Sequence, residues 1–195
     1  MNLSAIFKRT ANIIIKPDDE WQVILKENTN KKKAVFGFAI LYIVVIALAT
    51  ALGNYLFSLG FFSISYIILS FVIALVVPFL VIFISAYIIN VLAPSFKSTP
   101  NIDRAFNLVI YSYTASFLAS ILTGLFPMLT YLGIAGLYSF YVFWTGFTPM
   151  MNTPADKKAG YVIISILIIL GVYMILTFLF AFILASFLTG IGVHF

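Results

Sequence analysis

The chain has 195 residues, 63% of them apolar and 9% charged, with a formal net charge of +5 at pH 7. Globular domains carry about 45–50% apolar and about 25% charged residues, so a soluble fold with a charged face on most of its helices is excluded. All 17 charges fall within 44 positions, because residues 34–96, 105–155 and 159–195 contain no Asp, Glu, Lys or Arg.

These uncharged blocks of 63, 51 and 37 residues set the number of spans. A spanning helix needs about 20 apolar residues, so the blocks hold two, two and one. Continuous apolarity, as in Ile164–Leu170, differs from the ten-residue alternation of a membrane barrel. The expected fold is all-α: a polytopic membrane protein with five transmembrane helices and a short amphipathic cytoplasmic N-terminal segment. Residues 1–33 form the predicted head and 34–195 the membrane domain, with spans near 34–58, 65–92, 104–125, 128–148 and 160–190.

In the head, Leu3, Ile6, Phe7, Ala11 and Ile14 recur at helical spacing with Lys8, Arg9 and Asn12 between them. This pattern predicts a short amphipathic helix on the cytoplasmic leaflet. Pro17 ends it, and Asp18, Asp19 and Glu20 supply negative charge at the start of a second helix, which Trp21, Ile24 and Leu25 make apolar on one side. The simple reading is a packed or interfacial connector. The sharper one is a docking surface for a cytoplasmic partner, made of Pro17, Asp18, Asp19, Glu20 and Trp21 with Lys157 and Lys158 from a later loop. Lys31–Lys33 anchor the chain at the membrane.

The first span is preceded by 33 residues with seven basic charges, too long for the basic region of a signal peptide. The second contains Pro78, which predicts a kink. The third carries Ser112, Ser116, Ser120 and Gly124, each four apart. Small residues on one face let helices approach closely, so the stripe is expected to pack. The fourth ends with Tyr141 and Trp144, suited to an aromatic belt. The fifth, about 31 residues long, spans about 46 Å at 1.5 Å per residue, which exceeds a core of about 30 Å, so it tilts, bends near Gly171 or starts before the membrane.

The eleven Lys and Arg residues all precede the first span or lie in the segments holding Lys97, Arg104, Lys157 and Lys158. The turns near Ser58–Ser65 and Phe126–Tyr131 carry none. With the N-terminus in the cytoplasm every basic residue falls inside, so the expected topology is N-in and C-out. That places the chain in a bacterial inner membrane, or in an ER or Golgi membrane if it is eukaryotic.

The chemistry available is sparse. There is no cysteine, and one histidine, His194. The predicted spans hold no His, Asp, Glu or Lys to serve as base or metal ligand, so no catalytic residue, metal or cofactor is expected and the chain reads as non-enzymatic. Ion-coupled carriers usually keep an ionisable residue in the membrane, and none is there. The net charge is a topology signal, with no sign of a nucleic-acid partner. Expected partners are the lipid bilayer, a cytoplasmic protein and further copies of the chain.

Two stretches carry a resemblance. Ile15-Lys16-Pro17-Asp18-Asp19-Glu20-Trp21-Gln22-Val23-Ile24 is similar to a "P-x-x-E-W-x-x-I" opening. Tyr111-Ser112-Tyr113-Thr114, Leu137-Tyr138-Ser139-Phe140-Tyr141, Gly146 and Pro154-Ala155-Asp156-Lys157-Lys158-Ala159 are similar to a "Y-S-x-T-P … L-Y-S-x-Y … G … P-x-x-K-A" pattern. The chain thereby resembles the Yip-domain family, the Ypt/Rab-interacting membrane proteins, in its prokaryotic form. Ala115 stands where a proline often follows the threonine, so the kink of that proline is expected to be absent. The resemblance implies a five-span membrane fold and a membrane-organising or partner-binding scaffold in trafficking or envelope biology. The competing expectation is a small transporter, channel or lipid-handling protein with a cavity near Pro78 and the Ser112–Gly124 face.

Overall fold

A computed structural model describes residues 2–57 and 63–190. The predicted outer turn at Ser58–Ser65 lies mostly, and His194 wholly, outside the described residues, in which every regular element is helical.

Helix α1 (Leu3–Ile15) starts where the Asn2 side chain accepts the Ala5 N–H at 2.9 Å, and stops at Lys16. Helix α2 (Pro17–Glu27) has proline and three acidic residues in its first turn, a terminus suited to the exposed N–H groups there. Asn28, at φ 44°, breaks it. Asn30 caps the short α3 (Lys31–Ala34), a π-turn follows over Val35–Ala39, and α4 (Ile40–Phe57) completes the first span. Helix α5 (Ile64–Leu92) carries Pro78 at its middle, and a 3-10 turn (Ala93–Phe96) extends it. The remaining helices are α6 (Ile102–Ser112), α7 (Thr114–Leu125), a 3-10 segment (Pro127–Leu137), α8 (Tyr138–Met151) and α9 (Ala155–Gly190). Among the described residues four helices are long and apolar enough to cross a membrane, or five when α6 and α7 count as one bent span.

That bend corrects one expectation. The third span is not straight: α6 and α7 meet at 42° although no proline follows Thr114. The Thr114 hydroxyl instead bonds the Tyr111 carbonyl at 2.6 Å, the local side-chain competition by which threonine bends a helix. The fourth span is also heterogeneous, beginning as 3-10 helix and becoming α-helical only at Tyr138.

The bundle packs α4 on α5 and α7, α5 on α6 and α9, and α7 on the 3-10 segment. Close approach is concentrated where α4 meets α7. A Cβ on Gly53 would overlap the Gly124 carbonyl oxygen, and one on Gly124 would lie 2.8 Å from Thr50 Oγ1. Helices in contact at backbone distance require residues this small.

The charged segments gather at one end, which forms a base. Lys31 N–H bonds Asp103 at 3.0 Å, Asn107 Nδ2 bonds the Thr29 carbonyl at 2.7 Å, and Ser98 bonds Thr153 at 2.8 Å. The 36 residues of α9 rise about 54 Å at 1.5 Å per residue, more than a hydrocarbon core of about 30 Å. Either the helix tilts strongly or its charged end projects from the membrane. The rings of Tyr138, Tyr141 and Trp144 on α8 are exposed, as residues suited to an aromatic belt would be.

Candidate functional site

Two regions concentrate the polar side chains: the base and an intramembrane cavity above it.

In the base, α1 turns the polar Arg9 and Thr10 inward. Its buried face is Ile6, Arg9, Thr10 and Ile13, while Leu3, Phe7 and Ile15 are exposed. Of the face expected on the lipid leaflet, Leu3 and Phe7 are exposed but Ile6 is buried, and Arg9 points into the fold rather than to water. Arg9 is 7% exposed. It pairs with Glu20 at 2.9 Å and with Glu27 at 2.6 Å and sits over the Tyr111 ring, 5.6 Å from its centroid. Asn12 donates to Glu20 at 2.7 Å, and the Thr10 and Tyr42 hydroxyls meet at 2.5 Å. The Tyr138 hydroxyl donates to the Ile14 carbonyl at 2.9 Å. The head is therefore fastened to α4, α6 and α8 through its own polar face.

Trp21 is 1% exposed. Its indole N–H donates to the Val142 carbonyl and the Thr145 hydroxyl, each at 3.1 Å, and its ring lies against Gly146. Of the residues expected to form a docking surface, Pro17, Glu20 and Trp21 are buried inside the fold. Asp18 and Asp19 are exposed and Lys157 and Lys158 half-exposed, with Lys158 Nζ 4.7 Å from the Trp144 ring centroid. The buried three are structural in this arrangement, because a partner has no access to them. Arg9 is the residue that sequence reasoning misplaced. Its signal was present in the i, i+3, i+4 spacing of Ile6, Arg9, Thr10 and Ile13, but the opposite face of the same helix is the more hydrophobic one.

Above the base lies a cavity of about 640 Å³ between α4, α5, α7, the 3-10 segment, α8 and α9. Its walls include Pro78 and the whole stripe Ser112, Ser116, Ser120 and Gly124. The stripe has two roles. Gly124 packs on Thr50. Ser116 bonds the Ser139 hydroxyl at 2.8 Å and the Gly136 carbonyl at 3.2 Å. Ser112, by contrast, has a buried hydroxyl with no hydrogen-bond partner. Leu137 on the wall is 59% exposed and Thr130 and Gly133 are exposed too, so the 3-10 segment is the least buried part of the wall. Among the described residues no Asp, Glu, Lys, Arg or His lines it, and Thr50, Thr123, Thr130, Ser139, Thr177, Tyr113 and Tyr173 add hydroxyls to a wall that is otherwise mainly apolar. Among the described residues no cluster of His, Cys, Asp and Glu could hold a metal ion.

The family model for the Yip1 domain matches residues 11–179. The chain belongs to the Yip1 domain family. The match starts inside α1 and ends inside α9, so α2 and every residue of the cavity wall fall within the Yip1 domain, while most of α1, with Arg9, precedes it. No curated protein and no solved structure matches the chain.

Proposed function

We propose that this Yip1-domain protein handles lipid in the plane of the membrane, as a binding protein rather than an enzyme. The observation that carries the reading is the cavity of about 640 Å³ lined by Pro78 and the Ser112–Gly124 face within the apolar helices. Ligand cavities are mostly apolar, of about 300–1,000 Å³, with a few placed polar groups, and this one has that make-up. Gly133 offers a direct test, because it lines the cavity and a Cβ there meets nothing within 4 Å, so a large side chain is accommodated at the wall. Native mass spectrometry of the protein extracted in mild detergent is expected to show retained lipid in the wild type and in Gly171→Phe. Gly171 is an equally unobstructed site absent from the cavity wall. Gly133→Phe is expected to lose that lipid. A wild type without bound lipid, or equal retention by Gly133→Phe, sinks the reading.

The scaffold reading ranks second. Its support is the exposed pair Asp18 and Asp19 at the same end as Lys157 and Lys158, a mixed-charge surface open to a cytoplasmic protein or to a second copy of the chain.

We place the base in the cytoplasm, since all eleven basic residues belong to its segments and short cytoplasmic loops concentrate Lys and Arg. The membrane is then the inner membrane of a bacterium, or the ER or Golgi of a eukaryote. The chain has no cysteine, so single-cysteine labelling is unambiguous. Lys32→Cys is expected to react only from the cytoplasm and Met128→Cys, at an exposed position in the opposite turn, only from outside. The reverse pattern inverts the topology.

A further inference from the structure

We infer that the base carries a lipid site of its own, where Lys31, Lys32, Lys33 and Arg104 hold the headgroup of an anionic phospholipid beside the start of the first span. The site is separate from the cavity and does not rest on the reading given to it.

The fold assembles this cluster from two distant segments. Lys31, Lys32 and Lys33 make up most of α3, and Arg104 lies in the first turn of α6. The Lys31 N–H bonds the Asp103 carboxylate at 3.0 Å across 72 positions, which pins α3 to the start of α6. Consecutive Cα atoms are about 3.8 Å apart, so Lys32 and Arg104 each stand one residue from that bond. Three lysines alone fall short of the roughly four to eight basic residues that attract anionic headgroups. Arg104 supplies the fourth.

The charge of the cluster is unspent. Among the described residues the ion pairs are those of Arg9 and the Lys157–Asp156 contact, and none involves these four side chains. Asp103 is engaged by a backbone N–H. Lys31 sets its ammonium 5.8 Å from the Phe106 ring centroid, an attraction that leaves the charge in place. Lys32 and Lys33 are exposed and Arg104 is half-buried. The Arg104 Nε is closed off, so contact with a ligand falls to the outer Nη end, whose paired N–H groups suit phosphate oxygens.

The position of the cluster makes a lipid the occupant rather than a soluble anion. The stretch Lys31–Phe57 is apolar enough to cross a membrane, so the lysines stand where it enters. Phe36, about one turn past Lys32 and Lys33, is 69% exposed. An acyl chain lies against Phe36 while the phosphate of the same molecule meets the cations.

The test uses full-length protein, delipidated in a neutral detergent and titrated with dioleoyl phosphatidylglycerol or dioleoyl phosphatidylcholine under native mass spectrometry. The two lipids share their chains and differ in net charge. Phosphatidylglycerol is expected to bind at least tenfold tighter. A basic residue near an anionic surface contributes about fivefold, so Lys32→Gln with Lys33→Gln is expected to weaken phosphatidylglycerol about twentyfold and to leave phosphatidylcholine unchanged. Both lysines are exposed, so this variant keeps its fold. Arg104→Gln is expected to cost about fivefold. Lys8→Gln with Lys16→Gln removes the same charge at exposed positions on α1 and is expected to keep the preference. Gly133→Phe at the cavity wall is expected to keep it too, which separates this site from the cavity. Equal affinity for the two lipids overturns the proposal. Equal losses from the α1 pair and the α3 pair overturn a localised site in favour of diffuse charge. Displacement of phosphatidylglycerol by millimolar inorganic phosphate overturns lipid as the occupant.

Discussion

Trp21→Ala is expected to cost about 3–5 kcal/mol, the usual range for deleting a fully buried aromatic side chain, and to loosen the head from the bundle. The indole is 1% exposed and is fixed by two hydrogen bonds and by contact with Gly146. The Val142 carbonyl also accepts from the Thr145 hydroxyl at 3.0 Å, so the substitution strands no acceptor there and the loss is chiefly packing. The melting temperature in detergent and hydrogen exchange of the α2 amides check it. The partner site gives a sharper version. In an exposed helix Gly→Ala stabilises by up to about 1 kcal/mol, but a Cβ on Gly146 would overlap the indole ring. Gly146→Ala is therefore expected to destabilise by about 1–3 kcal/mol, as overpacking does. In the Trp21→Ala background the same change is expected to become neutral or stabilising, because the obstructing ring is gone. Independent, additive effects sink the contact.

Trp21 also shows how far the sequence reading reaches. Its acidic, proline-led helix start was legible because cap chemistry is local: Pro17 and Asp18–Glu20 suit a helix N-terminus whatever lies around them. What covers the indole was not, because Val142, Thr145 and Gly146 lie more than 120 positions away. Charge-free blocks specified membrane helices, since burial of ionisable groups in lipid is costly at any position. They do not report helix continuity, and so the 42° bend at Tyr113 was invisible: it depends on one threonine hydroxyl competing for one carbonyl.

The candidate site was half legible. The four-residue spacing of Ser112, Ser116, Ser120 and Gly124 marks one face, and Pro78 marks a helix opposite. Whether such a face closes on a neighbour or lines a space depends on where the facing helices sit. Here Gly124 closes on Thr50, Ser116 closes on Ser139, and the wall between them stays open. The opposite wall, the 3-10 segment with Gly133, offered no periodic signal because its tight turns follow neither the helical nor the strand period.

Arg9→Met is expected to cost about 3–5 kcal/mol, the range for removing one partner of a buried ion pair. The reason is the charge left behind. Glu20 has a side chain only 7% exposed and pairs with Arg9 at 2.9 Å. Without the guanidinium its carboxylate keeps the Asn12 amide but no cation. Glu27 behaves differently, because its side chain is 40% exposed and water replaces the lost partner, so Glu27→Ala is expected to cost no more than about 1 kcal/mol. The double variant Arg9→Met with Glu20→Leu decides the mechanism. If stranded charge is the source of the loss, removing both charges restores part of the stability, as replacing a buried pair by apolar residues often does, and the double melts above the single Arg9 variant in the same detergent. If the double melts lower by the sum of the two single losses, Arg9 acts through packing on Tyr111 rather than through Glu20. The first outcome makes the head an electrostatically locked part of the fold, since the face of α1 that carries Arg9 is the one packed on Tyr42, Tyr111 and Glu20.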